Sequence, residues 1–134
     1  MSSHVIDTSA WVEYLIGSRQ GRAAREFIEG GGSATPSIVA AELAKWCLRE
    51  IEDGRRTEHE MREHLAFVSS VTAIVPLDGR LAKKVGELDF LMKKRIRGWL
   101  LADSVVYATA KERQGKVVSG DPHFEGLPDV EYLK

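Results

Sequence analysis

Short β-branched and apolar runs alternate with segments of helical period along nearly the whole chain, and this alternation most narrows the folds open to it. The expected strands are residues 4–7, 33–35, 71–77, 116–119 and 130–133, the β-branched run from Val71 to Leu77 being the clearest of them. Between them lie helical patterns. Residues 8–16 carry Trp11, Val12, Leu15 and Ile16 at helical spacing, with Gly17 as the stop. A short helix over 20–29 ends at Gly30-Gly31-Gly32, and a long one has Pro36 in its first turn and runs to about Asp53. Thr57 caps the next helix, with Glu60 three positions on to close a capping box. Asp78-Gly79 opens a helix of four or five turns through Leu81, Val85, Leu88 and Leu91, and a last helix spans 102–113. Strands separated by helices are joined by right-handed crossovers into a parallel sheet with helices on its faces. The expected class is therefore α/β, in a single unit over residues 1–134.

Composition narrows the function. The single Cys47 excludes an intrachain disulfide framework and fits a reducing, cytoplasmic setting. No apolar run approaches the ~18 residues of a membrane helix, and nothing resembles a signal peptide. With a net charge of −1, the chain does not attract nucleic acid in bulk, so any such contact needs a local patch.

Four acids stand in costly places. Asp7 ends the first strand, in His4-Val5-Ile6-Asp7-Thr8-Ser9, where it is either a helix N-cap or a ligand at a strand's carboxyl end. Glu42 shares a helix face with Ile38, Val39 and Trp46; it either reaches water or Lys45 at the stripe's border, or has a partner inside. Asp103 falls at a helix start, where dipole and capping favour an acid in any case. Asp121 leaves the strand Val117–Ser119 just before Pro122, as a plain turn starter or as a second acid at a strand end. Brought together without compensation, such carboxylates repel by about 4 kcal/mol per close pair. A divalent cation removes that cost, and a set of oxygen ligands without His or Cys points to Mg²⁺ or Mn²⁺ rather than Zn²⁺.

Other motifs fall away. His59 and His64 are five apart, about 140° around a helix, so they do not form a zinc-protease pair. No G-x-S-x-G or phosphate-loop pattern occurs. A phosphoaspartyl phosphatase needs a second Asp two residues after the first, and position 9 is Ser. Asp78 and Asp89 are better explained by a helix start and a helix surface.

The stretches V-I-D-T-S, T-P-S-I-V-A-A-E-L, A-D-S-V-V-Y-A-T-A and V-V-S-G-D-P-H-F, taken together, resemble the PIN domain over about residues 4–132, and length and composition resemble its VapC-type toxins. The resemblance implies a three-layer α/β/α fold on a central parallel sheet. It implies an acidic set of Asp7, Glu42, Asp103 and Asp121 that holds Mg²⁺ or Mn²⁺, with Thr8 and Ser119 supporting it and Thr8 steadying Asp7. It further implies a metal-dependent endoribonuclease, the toxin of a type II toxin–antitoxin pair, working as a homodimer and silenced by a small antitoxin. A free-standing RNA-processing nuclease and a silent partner-binding module remain the alternatives. Ser104 departs from the small apolar residue common after the third acid, with no loss of activity expected.

Two surface readings complete the picture. Val85 to Met92 and Trp99-Leu100-Leu101 offer apolar surface for an isologous dimer. Lys93, Lys94, Arg95 and Arg97 form the densest basic run, with Arg80, Lys83 and Lys84 on the same helix. The run is either an RNA track or a helix end favoured by its dipole. Arg19, Arg22 and Arg25 are the other candidate track.

Overall fold

The computed structural model describes residues 3–134; residues 1 and 2 of the expected unit lie outside the described residues. The chain runs β1 (His4–Ile6), α1 (Thr8–Ile16), α2 (Arg19–Glu29), β2 (Ala34–Pro36), α3 (Ser37–Glu52), α4 (Glu58–Val71), β3 (Ala73–Val75), α5 (Gly79–Arg95), α6 (Leu101–Glu112), β4 (Lys116–Ser119) and β5 (Val130–Tyr132), with a 3₁₀ turn at Pro122–Phe124. All strand pairs are parallel, in the order β3-β2-β1-β4-β5. The chain thus builds outward from β1 in one direction, then returns and builds in the other. Such a reversal opens a crevice at the carboxyl ends of the two strands on either side of it, here β1 and β4.

Helices cover the sheet as the three-layer reading expects. Trp11 of α1 meets Phe67 of α4 edge-on at 6.3 Å, and Tyr14 stacks on the same ring at 5.9 Å. Leu81 and Val85 of α5 pack with Val105 and Ala108 of α6. Every residue of α6 from Asp103 to Ala110 is buried, so the middle of this helix is enclosed on all sides. A helix hydrophobic all round would suffice for that position; this one also carries Ser104 and Thr109, whose hydroxyls are hydrogen-bonded. Val5, Ile6, Val117 and Val118 on the two central strands are wholly buried, as expected where helices cover both faces.

Two boundaries differ from the sequence reading. The strand expected over 71–77 shrinks to Ala73–Val75 on the sheet edge, with Ala73 and Ile74 exposed. Val71 belongs to α4, whose last turn continues until the Thr72 N–H donates to the Val68 carbonyl at 3.2 Å. Pro76 has no N–H to offer a ladder, which ends the strand on the other side. Pro36 lies in β2, paired in register with Val75, rather than in the first turn of α3. The capping box at Thr57 and Glu60 forms as expected, through bonds of 3.1 and 2.9 Å. No helix among the described residues is long and apolar enough to cross a membrane.

Candidate metal centre

The crevice between β1 and β4 holds the acids. A cleft of about 290 Å³ is lined by Asp7, Glu42, Asp103 and Asp121, together with Thr8, Ser9, Leu100 and Ala102. Asp7 enters from the end of β1 and Asp121 from the loop after β4, while Glu42 reaches in from α3 and Asp103 from the first turn of α6. All four acids singled out in the sequence therefore meet in one cleft.

Asp7 stands at the N-cap position of α1, but its side chain makes no capping hydrogen bond there. Its Oδ2 instead accepts the Ser119 hydroxyl at 2.7 Å and the Ser9 hydroxyl at 3.2 Å. Ser9 also accepts the Gly120 N–H at 3.0 Å, and Ser119 accepts the Asp121 N–H at 3.0 Å. The two serines thus tie the β4 exit loop to the β1 carboxylate. Burial pushes the Asp7 carboxyl up to about 6, the Asp103 and Asp121 charges push the same way, and the bonds from Ser119 and the Thr8 backbone only partly oppose them.

Thr8 corrects an expectation. Its hydroxyl does not steady Asp7 but donates to Glu42 Oε1 at 2.5 Å. Successive residues entering a helix project in different directions, so the hydroxyl after Asp7 faces α3 rather than its neighbour. Glu42, for which Lys45 was a possible partner, has Thr8 instead.

Asp103 fills both roles open to it. Its Oδ2 accepts the Leu100 N–H at 2.9 Å, a local cap, while the same atom lies 2.8 Å from His123 Nδ1. Burial raises the Asp103 carboxyl above its ordinary value, and the bonds from Leu100 and His123 pull it back. Asp121 likewise starts the turn it was expected to start, its Oδ1 accepting the His123 N–H at 2.9 Å.

Ser9 and His123 are the site residues that sequence reasoning missed. The available signals were a second hydroxyl two after the first acid, and an imidazole two after the last. His123 adds a nitrogen donor that the oxygen-only reading did not include: donor atoms of Asp103, Asp121 and His123 lie within 4.8 Å of one another. Asp89, assigned to a helix surface, is half-buried and accepts the Ser104 hydroxyl at 2.9 Å; Ser104 in turn accepts the Trp99 indole N–H at 2.7 Å. The departure at Ser104 thus fastens the segment before α6 to α5.

The basic run comes shortly before the cleft residue Leu100 in sequence and is not uniform. Lys93, Lys94, Arg95 and Arg97 are exposed, just before Leu100 at the cleft wall. Lys93 lies 3.9 Å from Asp89, and Lys94 lies 4.0 Å over the Phe90 ring. Arg80 and Lys84, counted with this run from sequence, are held by Glu112 instead. On the other track, Arg25 pairs with Glu29 at 3.1 Å and Arg22 donates to the Gly17 carbonyl at 3.2 Å. Of the apolar surface expected for pairing, Val85, Met92 and Trp99 are consumed by the chain's own core. Phe90, Leu91, Leu100 and Leu101 remain exposed, by 65, 57, 56 and 55%.

Comparison with known structures returns the same architecture. The chain is similar to the VapBC2 structure from Rickettsia felis bound to a promoter DNA fragment, at 15% identity and a TM-score of 0.76, covering 98% of this chain and 99% of that one. It is similar to VapC20 of Mycobacterium tuberculosis, described as a sarcin-ricin loop cleaving toxin, at 18% identity and 0.69, over 98 and 99%. It is also similar to VapBC-5 of Mycobacterium tuberculosis, at 23% and 0.64, over 100 and 99%. Among curated protein sequences none matches. The sequence profile of the PIN domain matches residues 4–130, nearly the whole chain, and the protein belongs to the PIN domain family.

Proposed function

We propose that the chain is a divalent-metal-dependent endoribonuclease and the toxin of a type II toxin–antitoxin pair. The observation that carries this reading is the convergence of Asp7, Glu42, Asp103 and Asp121 on one cleft. Among the described residues, none of the four forms an ion pair with Lys or Arg; the only basic side chain in contact is His123. Carboxylates gathered in one cleft, Asp7 and Asp103 buried and Glu42 and Asp121 half-buried, are explained by a cation that the side chains themselves do not supply. Their oxygen donors fit Mg²⁺ or Mn²⁺.

Bound there, such an ion activates water and offsets charge on a phosphodiester during in-line displacement. The chain's own part is to hold the donors ready. Ser119 and Ser9 fix the Asp7 carboxylate, Thr8 fixes Glu42, and the Leu100 N–H and His123 fix Asp103. Leu100 and Ala102 wall the cleft with apolar surface, and Lys93, Lys94, Arg95 and Arg97 lead a phosphate backbone toward it.

The protein acts in the cytoplasm as a homodimer, and a small antitoxin covers the groove. The support for a partner is the set of similar folds, several of which are described as VapBC toxin–antitoxin assemblies. The support for cleavage of RNA is the PIN family itself, together with a similar fold described as a sarcin-ricin loop cleaving toxin. The deciding experiment is incubation with total RNA in Mg²⁺, Mn²⁺ or chelator. Cleavage in either metal, lost in chelator and in Asp7→Asn, Asp103→Asn or Asp121→Asn, is the expected result. A folded Asp7→Asn protein that cleaves like the parent overturns the reading.

A further inference from the structure

The fold brings to the acids a donor of a different kind. His123 Nδ1 lies 2.8 Å from Asp103 Oδ2 and 3.7 Å from Asp121 Oδ1. Donor atoms at right angles around one ion, each about 2.1 Å from it, stand about 3 Å apart. The two separations at Nδ1 bracket that spacing.

The ring is also aimed. Its backbone N–H is tied to Asp121 Oδ1 at 2.9 Å, and the ring sits tilted beside Trp99, with ring centroids 6.2 Å apart. Trp99 is itself locked by its bond to Ser104 at 2.7 Å. On the far side, Nε2 lies against Gly98, where a Cβ would come within 3.3 Å of it. Gly98 therefore leaves room for the ring edge, and Nδ1 is the nitrogen turned to the carboxylates.

We propose that His123 Nδ1, Asp103 and Asp121 form a mixed nitrogen–oxygen corner of the site that takes Mn²⁺ in preference to Mg²⁺. This rests on the metal-centre reading above and adds to it a ligand and a selectivity. Imidazole nitrogen suits first-row transition ions, whereas Mg²⁺ favours oxygen donors. Without metal, Nδ1–H donates to Asp103 Oδ2. As a ligand, Nδ1 presents its lone pair and the ring N–H is carried on Nε2.

The test is Mn²⁺ electron paramagnetic resonance with spin-echo modulation on the full chain, alongside calorimetric titration with Mn²⁺ and with Mg²⁺. The parent is expected to show imidazole-nitrogen modulation that is absent in His123→Asn and His123→Ala. Mn²⁺ affinity is expected to fall about tenfold or more in both variants, the scale that even a supporting partner commands, with Mg²⁺ affinity changing less than about threefold in His123→Asn. Asn keeps an N–H for Asp103, so a role limited to positioning Asp103 survives in His123→Asn and fails in His123→Ala. Thermal unfolding of both variants shows that the fold is intact. Nitrogen modulation missing from the Mn²⁺-loaded parent, surviving in His123→Asn, or accompanied by equal losses for both ions overturns the proposal and leaves the acidic centre standing. A parent that takes up neither ion overturns the metal-centre reading itself.

Discussion

Thr8 donates its hydroxyl to Glu42 across 34 positions of sequence, at 2.5 Å, while Asp7 beside it is held by Ser119 at 2.7 Å. Of these two adjacent residues, one is the carboxylate at a strand end and the other supports the carboxylate on a helix. Thr8→Val keeps the shape and removes the bond. Metal affinity and RNA cleavage are expected to fall by roughly 10–100-fold, the usual cost of losing a partner behind a ligand, with Thr8→Ser restoring most of both. Calorimetric titration with Mg²⁺ and a cleavage assay check this.

The raised Asp7 carboxyl sets a pH dependence of stability. Its value of about 6 in the folded chain lies above the ordinary 3.8, so between pH 4 and 6 the folded state holds a proton that the unfolded state has released. Stability from this group is therefore greatest near pH 4 and is lost as pH rises, by on the order of 3 kcal/mol at neutral pH. Asp7→Asn removes the loss. Urea unfolding in chelator is expected to show the variant gaining on the parent as pH rises from 4 to 7. A parent-minus-variant difference flat with pH contradicts the assignment.

Saturating metal acts on the parent in the opposite sense. At a concentration of 100 times its dissociation constant, Mg²⁺ or Mn²⁺ is expected to raise the unfolding free energy by about 2.7 kcal/mol. Asp7→Asn is expected to show little of this gain, as thermal scans with and without metal will reveal.

Ser104 is wholly buried between Trp99 and Asp89. Ser104→Ala leaves an indole N–H and a carboxylate without their partner, so stability is expected to fall by about 1–3 kcal/mol. Denaturant unfolding followed by Trp fluorescence measures it directly.

The basic residues divide by what already holds them. Lys93→Ala with Lys94→Ala is expected to weaken RNA binding and reduce the log–log salt slope by roughly 0.7 for each phosphate no longer neutralised. Arg80→Ala with Lys84→Ala is expected to leave the slope unchanged, since Glu112 already holds both. Binding titrations across a salt series separate the pairs.

Much of the fold was legible in the sequence because alternation, periodicity and caps are local. The β-branched pair Val117-Val118, the Thr57–Glu60 box and the Asp78 helix start all formed where they were expected. The strand expected over 71–77 is shorter in the fold, because a β-branched residue such as Val71 sits as well in a helix's last turn as in an edge strand. The four acids were legible for a similar reason. A carboxylate at a strand end or on an apolar stripe is costly, and the cost shows in the residue's immediate neighbours.

Ser119 was expected among the supports of those acids, but which acid each support holds was decided only by tertiary structure. Ser9 reaches Gly120 across 111 positions, His123 reaches Asp103 across 20, and Ser119 reaches Asp7 across 112. Sequence period reports which way a side chain faces relative to its own element, but not which element lies opposite. The order β3-β2-β1-β4-β5 supplies that second fact by making β1 and β4 neighbours. That adjacency depends on how the crossovers pack their helices against the sheet, a property of the whole chain that no local stretch carries.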